Sequence, residues 1–156
     1  AMVAEQRAKG IDARVGDVQS LPFADGEFDV AVAAWMLYHV PDLDLGLAEL
    51  ARVLRPGGVL VAVTNGVDHL QELWDLAQRA TALRLFTFRS ENGEEALLRH
   101  FDRVERREAH GWVTMDDAAV RRFAGSWEAL GSLVEMPPLG EPMRVRRHST
   151  VFVARK

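Results

Sequence analysis

The side chains best suited to chemistry in this 156-residue chain are Asp17, Tyr38 and His39. His39 carries an imidazole, and a free pKa of about 6.5 suits a general base toward a hydroxyl or a carbon acid. A histidine here serves equally well as a hydrogen-bonded brace for its own loop. Asp17 offers a carboxylate acceptor just past a brief strand over residues 13–16, where open α/β sheets place ligand-binding groups. Its competing role is a cap on the turn that follows. The five histidines fit no His-x-x-x-His or related metal spacing, and the absence of cysteine removes disulfides and thiolate ligands. No metal site is therefore expected.

These groups must be positioned by a strand–helix–strand unit. The apolar run Phe28-Asp29-Val30-Ala31-Val32-Ala33-Ala34 reads as a strand buried on both faces of a parallel sheet. Tyr38 and His39 lie in the loop after it, pointing from the rim toward a ligand. Leu43, Leu47, Leu50, Ala51 and Leu54 recur at helical spacing, with Asp42 or Asp44 as N-cap. Pro56-Gly57-Gly58 stops that helix, and residues 59–63 form a second buried strand, giving a right-handed βαβ unit. Asp29 falls at the far end of its strand and reads as structural.

The rest of the chain follows the same logic. Residues 2–9 form a short amphipathic helix ended by Gly10. Leu21-Pro22-Phe23 wedges against the sheet edge, and Asp25-Gly26 is a turn. Leu70, Leu73, Trp74, Ala77 and Ala80 mark a helix running to about Leu85. Asn92 and Glu95 form a capping box opening a helix over residues 93–100. A strand spans residues 103–109, with Trp112 near its far end. Asp116-Asp117 starts a helix with Ala119, Val120, Phe123, Trp127 and Leu130 on its apolar face. Residues 136–140 are irregular, and residues 149–154 close the chain as a strand.

Composition bounds the function classes. The length suits one domain with a real core, and the apolar share of 48% and charged share of 27% are those of a soluble globular protein. No apolar run reaches the roughly 18 residues that span a bilayer, and no basic-then-apolar leader is present. With no cysteine, a cytoplasmic location is expected. Net charge is −4, with acidic residues concentrated early and arginines late, interleaved with glutamate. That pattern describes a solvated, salt-bridged surface rather than a nucleic-acid patch.

Three segments together are specific. Leu54-Arg55-Pro56-Gly57-Gly58 before an apolar strand resembles the turn before the fifth strand of class I S-adenosylmethionine-dependent methyltransferases. Gly16-Asp17-Val18-Gln19-Ser20-Leu21-Pro22-Phe23 followed by Phe28-Asp29-Val30 is similar to the segment around that family's third and fourth strands. Leu37-Tyr38-His39-Val40-Pro41-Asp42 resembles its loop after the fourth strand. The look is that of small-molecule enzymes of the quinone-biosynthesis type. One part of the family pattern is missing: the sequence has no Gly-x-Gly, and its first residues already look like the helix after the second strand.

The resemblance implies an α/β fold, a Rossmann-like methyltransferase sheet lacking its first two strands. Strands in family order 4-5-7-6 remain, with an antiparallel C-terminal pair and an orphaned third strand. It implies a single partial methyltransferase domain over residues 1–156, truncated at the N-terminus. The cofactor implied is S-adenosylmethionine, with Asp17 accepting from the adenine amine and Val18 offering its main-chain N–H. Ala34 would touch the cofactor through its backbone, and Trp35 would pack against adenine or methionine or serve as a core aromatic. Tyr38, His39 and Trp74 are the implied contacts to a small-molecule acceptor, with His39 the catalytic candidate. Trp74, Phe86 and Phe88 are candidate pocket walls, or plain packing aromatics.

Without the glycine loop, cofactor binding by this chain is expected to be impaired. The strand Phe28–Ala34 would lose its neighbour, so its edge should be closed by residues 13–16 or by a second copy in a homodimer. Two other readings stay open. One is a non-catalytic remnant acting as an assembly or binding module. The other is a nucleotide-binding oxidoreductase, which also needs a glycine-rich loop.

Overall fold

The computed structural model describes residues 2–77, 86–126, 130 and 132–156. Four strands, β1 (Phe28–Ala34), β2 (Leu54–Asn65), β3 (Arg103–Met115) and β4 (Met143–Arg155), form one sheet in the order β1-β2-β4-β3. β1 and β2 are parallel, while β4 runs antiparallel to both β2 and β3. This is the expected order, with the antiparallel pair at the end of the sheet. The helices are α1 (Met2–Ala8), α2 (Leu43–Val53), α3 (Gln71–Leu76), α4 (Gly93–Leu97), α5 (Asp117–Ala124) and α6 (Ser132–Glu135). None of the described helices is long and apolar enough to cross a membrane.

The core divides into two clusters. The larger packs α2 and α4 on the sheet, through Leu37, Leu47, Leu50, Leu60, Phe88, Leu97 and Phe152. The Phe88 and Phe152 rings meet edge to face at 5.7 Å. The smaller cluster joins α3, α5 and α6 to the far ends of β3 and β4, through Leu73, Trp74, Val120, Leu133 and Val145.

Local chemistry explains the helix limits. Asp42 caps α2 by accepting from the Leu45 N–H at 3.0 Å, and Asp116 caps α5 by accepting from Ala119 at 2.8 Å. The C-terminal end of α2 is held by Lys156, whose Nζ donates to Ala51 O and Leu54 O at 2.6 and 2.7 Å. Gly57 then adopts φ +77°, and its N–H donates to Lys156 O. The proline–glycine turn thus sits inside the first residues of β2, facing Lys156 just after β4.

Several expectations are corrected. Residues 13–16 form no strand, and the local ladder reduces to a bridge between Asp17 and Ser20. An extended segment becomes a strand only with a partner, and this one lies open, with Val15 85% exposed. β1 is not buried on both faces: Ala33 is buried, but Val30 and Val32 on the opposite face are 55% and 68% exposed. Residues 13–16 do not close the β1 edge either, because among the described residues β1 pairs only with β2.

Asn92 makes no capping box. Its side chain folds back to accept from Arg89 N and donate to Thr87 O, and α4 ends at Leu97. β3 and β4 are longer than expected because they pair in register from Arg103↔Arg155 to Met115↔Met143. Trp112 therefore lies within β3. The expected extension of α3 past residue 77, and Trp127, lie outside the described residues.

Candidate active site

The site is built on the C-terminal end of β1. Trp35 follows Ala34 with φ +51°, a left-handed conformation that costs a non-glycine residue of order 1–3 kcal/mol and concentrates at functional sites. Its N–H still donates to Val63 O at 2.9 Å, so the turn away from the sheet begins abruptly. Its indole Nε1 donates to Asn65 Oδ1 at 3.3 Å, and Asn65 also accepts from Ser149 Oγ at 2.9 Å. The ring itself remains half exposed. A short 3₁₀ turn, Leu37–His39, drops Leu37 into the core and leaves the flanking side chains at the rim.

A cavity of about 450 Å³ lies on one side of this turn, lined by Asp17, Val18, Gln19, Met36, His39 and Val40, among others. Its walls are apolar and its rim carries one carboxylate. Asp17 accepts from the Gln19 N–H at 2.9 Å and from Gln19 Nε2, and Gln19 Oε1 accepts from Asp42 N at 2.9 Å. The turn-capping role of Asp17 is therefore real. It does not exhaust the group, since a carboxylate offers about four acceptor sites.

The loop carrying Asp17 is pinned to α2 by Arg52. This guanidinium donates to Glu49, to Asp25 Oδ1 at 2.7 Å, to Phe23 O at 2.9 Å and to Leu21 O at 3.1 Å. Glu49 in turn accepts from the Leu21 N–H at 2.8 Å. The Arg52 hydrogen bonds, reinforced by that N–H, hold the Glu49 pKa down to about 2.

A second cavity of about 450 Å³ opens on the other side, lined by Trp35, Asn65, His69, Leu70, Phe123 and Ser149, among others. Leu70, like Trp35, has a left-handed backbone, with φ +55°. Burial pushes the His69 pKa down, and its Nδ1 lies 2.9 Å from His148 O and 3.1 Å from His148 N.

The predicted residues separate onto these surfaces. Asp17, Val18 and His39 share the first cavity, and Trp35 lines the second. Ala34 ends β1 directly before them. Tyr38 turns away to stack on Phe86, with centroids 4.8 Å apart, and burial raises its pKa. His39 lies against Tyr38, and among the described residues its imidazole has no hydrogen-bond partner, so it does not brace the loop that way. Trp74 is 2% exposed and donates to His69 O, a core residue behind Leu70 rather than a pocket surface. Phe88 is likewise core. Asp29, read as structural, pairs with Arg55 at 2.6 Å. Asn65, Gln19 and His69 were not singled out by sequence. Asn65 had a signal, since it ends a parallel strand, where open sheets bind ligands.

Comparison with known proteins agrees with this fold. Residues 1–62 match a family described as a methyltransferase domain. The chain is 47% identical over 53 residues to a demethylmenaquinone methyltransferase of Desulfitobacterium hafniense, covering 34% of this chain and 21% of that protein. It is 37% identical over 82 residues to a malonyl-[acyl-carrier protein] O-methyltransferase of Serratia marcescens, covering 53% and 32%. The fold superposes on a SAM-dependent methyltransferase from Thermotoga maritima with a TM-score of 0.63 at 16% identity, covering 99% of this chain and 69% of that one. The chain thus spans about a fifth to a third of the length of these two curated relatives. In sheet order, motifs and matches the chain is similar to the class I S-adenosylmethionine-dependent methyltransferases. S-adenosylmethionine is the cofactor of that class.

Proposed function

We propose that this chain forms the adenine-facing and acceptor-facing parts of a methyl-transfer site for a small-molecule acceptor. The observation that supports it most is the pair of cavities flanking the end of β1, with the adjacent residues Trp35 and Met36 lining one each. The first cavity suits a purine: apolar walls from Val18, Met36 and Val40, with the Asp17 carboxylate at the rim for an exocyclic amine. Val18 contributes its main-chain N–H, and the Ala34 backbone leads to the sulfonium position.

When bound, S-adenosylmethionine supplies an already activated methyl group. Orienting the acceptor in line then does most of the work, and little base catalysis is required. The second cavity is the acceptor side, with Trp35 and Asn65 at its mouth and Trp74 supporting it from the core. His39, on the adenine side, is the remaining candidate for proton transfer. Tyr38 holds the turn through Phe86.

Neither cavity carries a glycine-rich loop for the methionine end or an acid for the ribose. Cofactor binding by this chain is accordingly weak, and the chain acts as a partial domain completed by those groups. Calorimetry with S-adenosylhomocysteine tests this. Joining the chain to a βαβ segment carrying both groups should tighten binding by orders of magnitude, at about 1.5–3 kcal/mol per charge-assisted hydrogen bond. Equal affinity in the two forms would contradict the reading.

A second reading, a non-catalytic assembly module, is favoured by the bare β1 edge. In either case the edge is closed by a second copy in a homodimer, and the cysteine-free chain works in the cytoplasm.

A further inference from the structure

His110 and His148 face each other directly across the β3–β4 ladder, with ring centroids 4.2 Å apart. Glu108, two positions earlier on β3, projects from the same face. Its Oε2 is 3.4 Å from His110 Nε2, and its Oε1 is 3.5 Å from His148 Nε2. One ligand atom from each of the three residues falls within 4.8 Å of the other two. A tetrahedral zinc with bonds of about 2.0–2.1 Å needs ligand atoms roughly 3.3–3.4 Å apart. The two separations from the Glu108 carboxylate, one to each of its oxygens, are already close to that value. His110 is exposed, and its ring can turn to bring its nitrogen to that distance from His148.

A second, independent observation concerns His148. It is 7% exposed, and its Nδ1 lies 2.5 Å from Asp68 Oδ1. That contact places the Nδ1–H on the Asp68 side and leaves Nε2 facing Glu108 Oε1 at 3.5 Å and the Ser90 hydroxyl at 3.3 Å, which a metal would displace from the nitrogen. A carboxylate on the far nitrogen is how histidine ligands to metals are oriented. Gly66 makes the arrangement feasible, because a Cβ there would collide with the His148 ring. Arg146 occupies the other Asp68 oxygen at 3.2 Å. Arg106 pairs with Glu108, whose carboxylate retains acceptor sites for a cation.

We propose that Glu108, His110 and His148 form a divalent-metal site of the zinc type, with Asp68 orienting His148 and a fourth position open to water. The site ties β3 to β4. It escapes any sequence-spacing rule because residues 110 and 148 meet only through the ladder register.

The test uses the tag-free full chain, freed of metal by a chelator, titrated with zinc chloride by calorimetry. Cobalt(II) chloride provides the optical readout of tetrahedral coordination. One zinc per chain is expected, with visible d–d bands from cobalt. His110→Ala alters an exposed side chain, should keep the folded circular dichroism, and should lose at least about tenfold in affinity. Asp68→Asn should weaken binding about tenfold to a hundredfold. No uptake by the unmodified chain, or an affinity in His110→Ala or Glu108→Gln equal to that of the unmodified chain, would overturn the proposal.

Discussion

Asp17 carries two roles at once, a turn acceptor for Gln19 and an exposed carboxylate beside an apolar cavity. Its removal should therefore separate binding from stability. In a polypeptide that joins the missing glycine loop to this chain, Asp17→Ala should weaken S-adenosylmethionine binding about tenfold to a hundredfold. The melting temperature should barely move. A lower melting temperature with unaltered affinity would assign Asp17 to the turn alone. Glu49 gives a pH prediction. The Arg52 guanidinium, and then the Leu21 N–H, depress its pKa from 4.5 to about 2. A carboxylate depressed on folding stabilises the protein above its unfolded pKa, and that contribution fades as pH falls from about 4.5 to about 2. Glu49→Gln should be less stable than the parent at neutral pH, and the difference should close toward pH 2 in acid-denaturation curves. A pH-independent difference would show that the ion pair is not its source.

The elements that were legible in sequence are those with local causes. The caps Asp42 and Asp116 and the apolar stripe of α2 are each stated within a few neighbouring residues, whereas Pro56-Gly57-Gly58, read as the helix stop before a strand over 59–63, lies within β2, which starts at Leu54 directly after α2 ends at Val53. What was not legible depends on distant partners. β3 and β4 read as short because their polar ends, such as His110 and Arg144, become strand only through the full-length ladder. Residues 13–16 read as a strand from apolar content alone, yet no strand pairs with them. Tyr38 and His39 looked like one site, and their rings do touch, but Tyr38 stacks on Phe86 while His39 alone of the two lines the first cavity. Trp74 carried a pocket signal by type and proved to be core. The Arg52 hub was silent because its partners at residues 21, 23 and 25 are carbonyls and a turn carboxylate. Fold stability rests on the larger cluster. Phe152 is fully buried against Phe88, so Phe152→Ala should cost about 3–5 kcal/mol in chemical denaturation. A loss below about 1 kcal/mol would mean that the cluster is not the principal core.

At the scale of the molecule, the sheet ends in an edge strand, β1, with exposed valines and no lysine or proline in it. Such an edge is a template for strand pairing. Size-exclusion chromatography with light scattering should find a dimer, and Val32→Lys should convert it to a folded monomer. Because Val32 is 68% exposed, that substitution spares the core and reports on pairing. A parent monomer would contradict the homodimer. The proposed methyl-transfer site is split: this chain would hold its adenine and acceptor sides without the groups that grip ribose and methionine. The most direct measurement is a titration of the ¹⁵N-labelled chain with S-adenosylmethionine, read by amide chemical shifts. The account predicts saturation in the millimolar range, with shifts concentrated at residues 17–19 and 35–40. Saturation in the micromolar range, or shifts that bypass both segments, would contradict it.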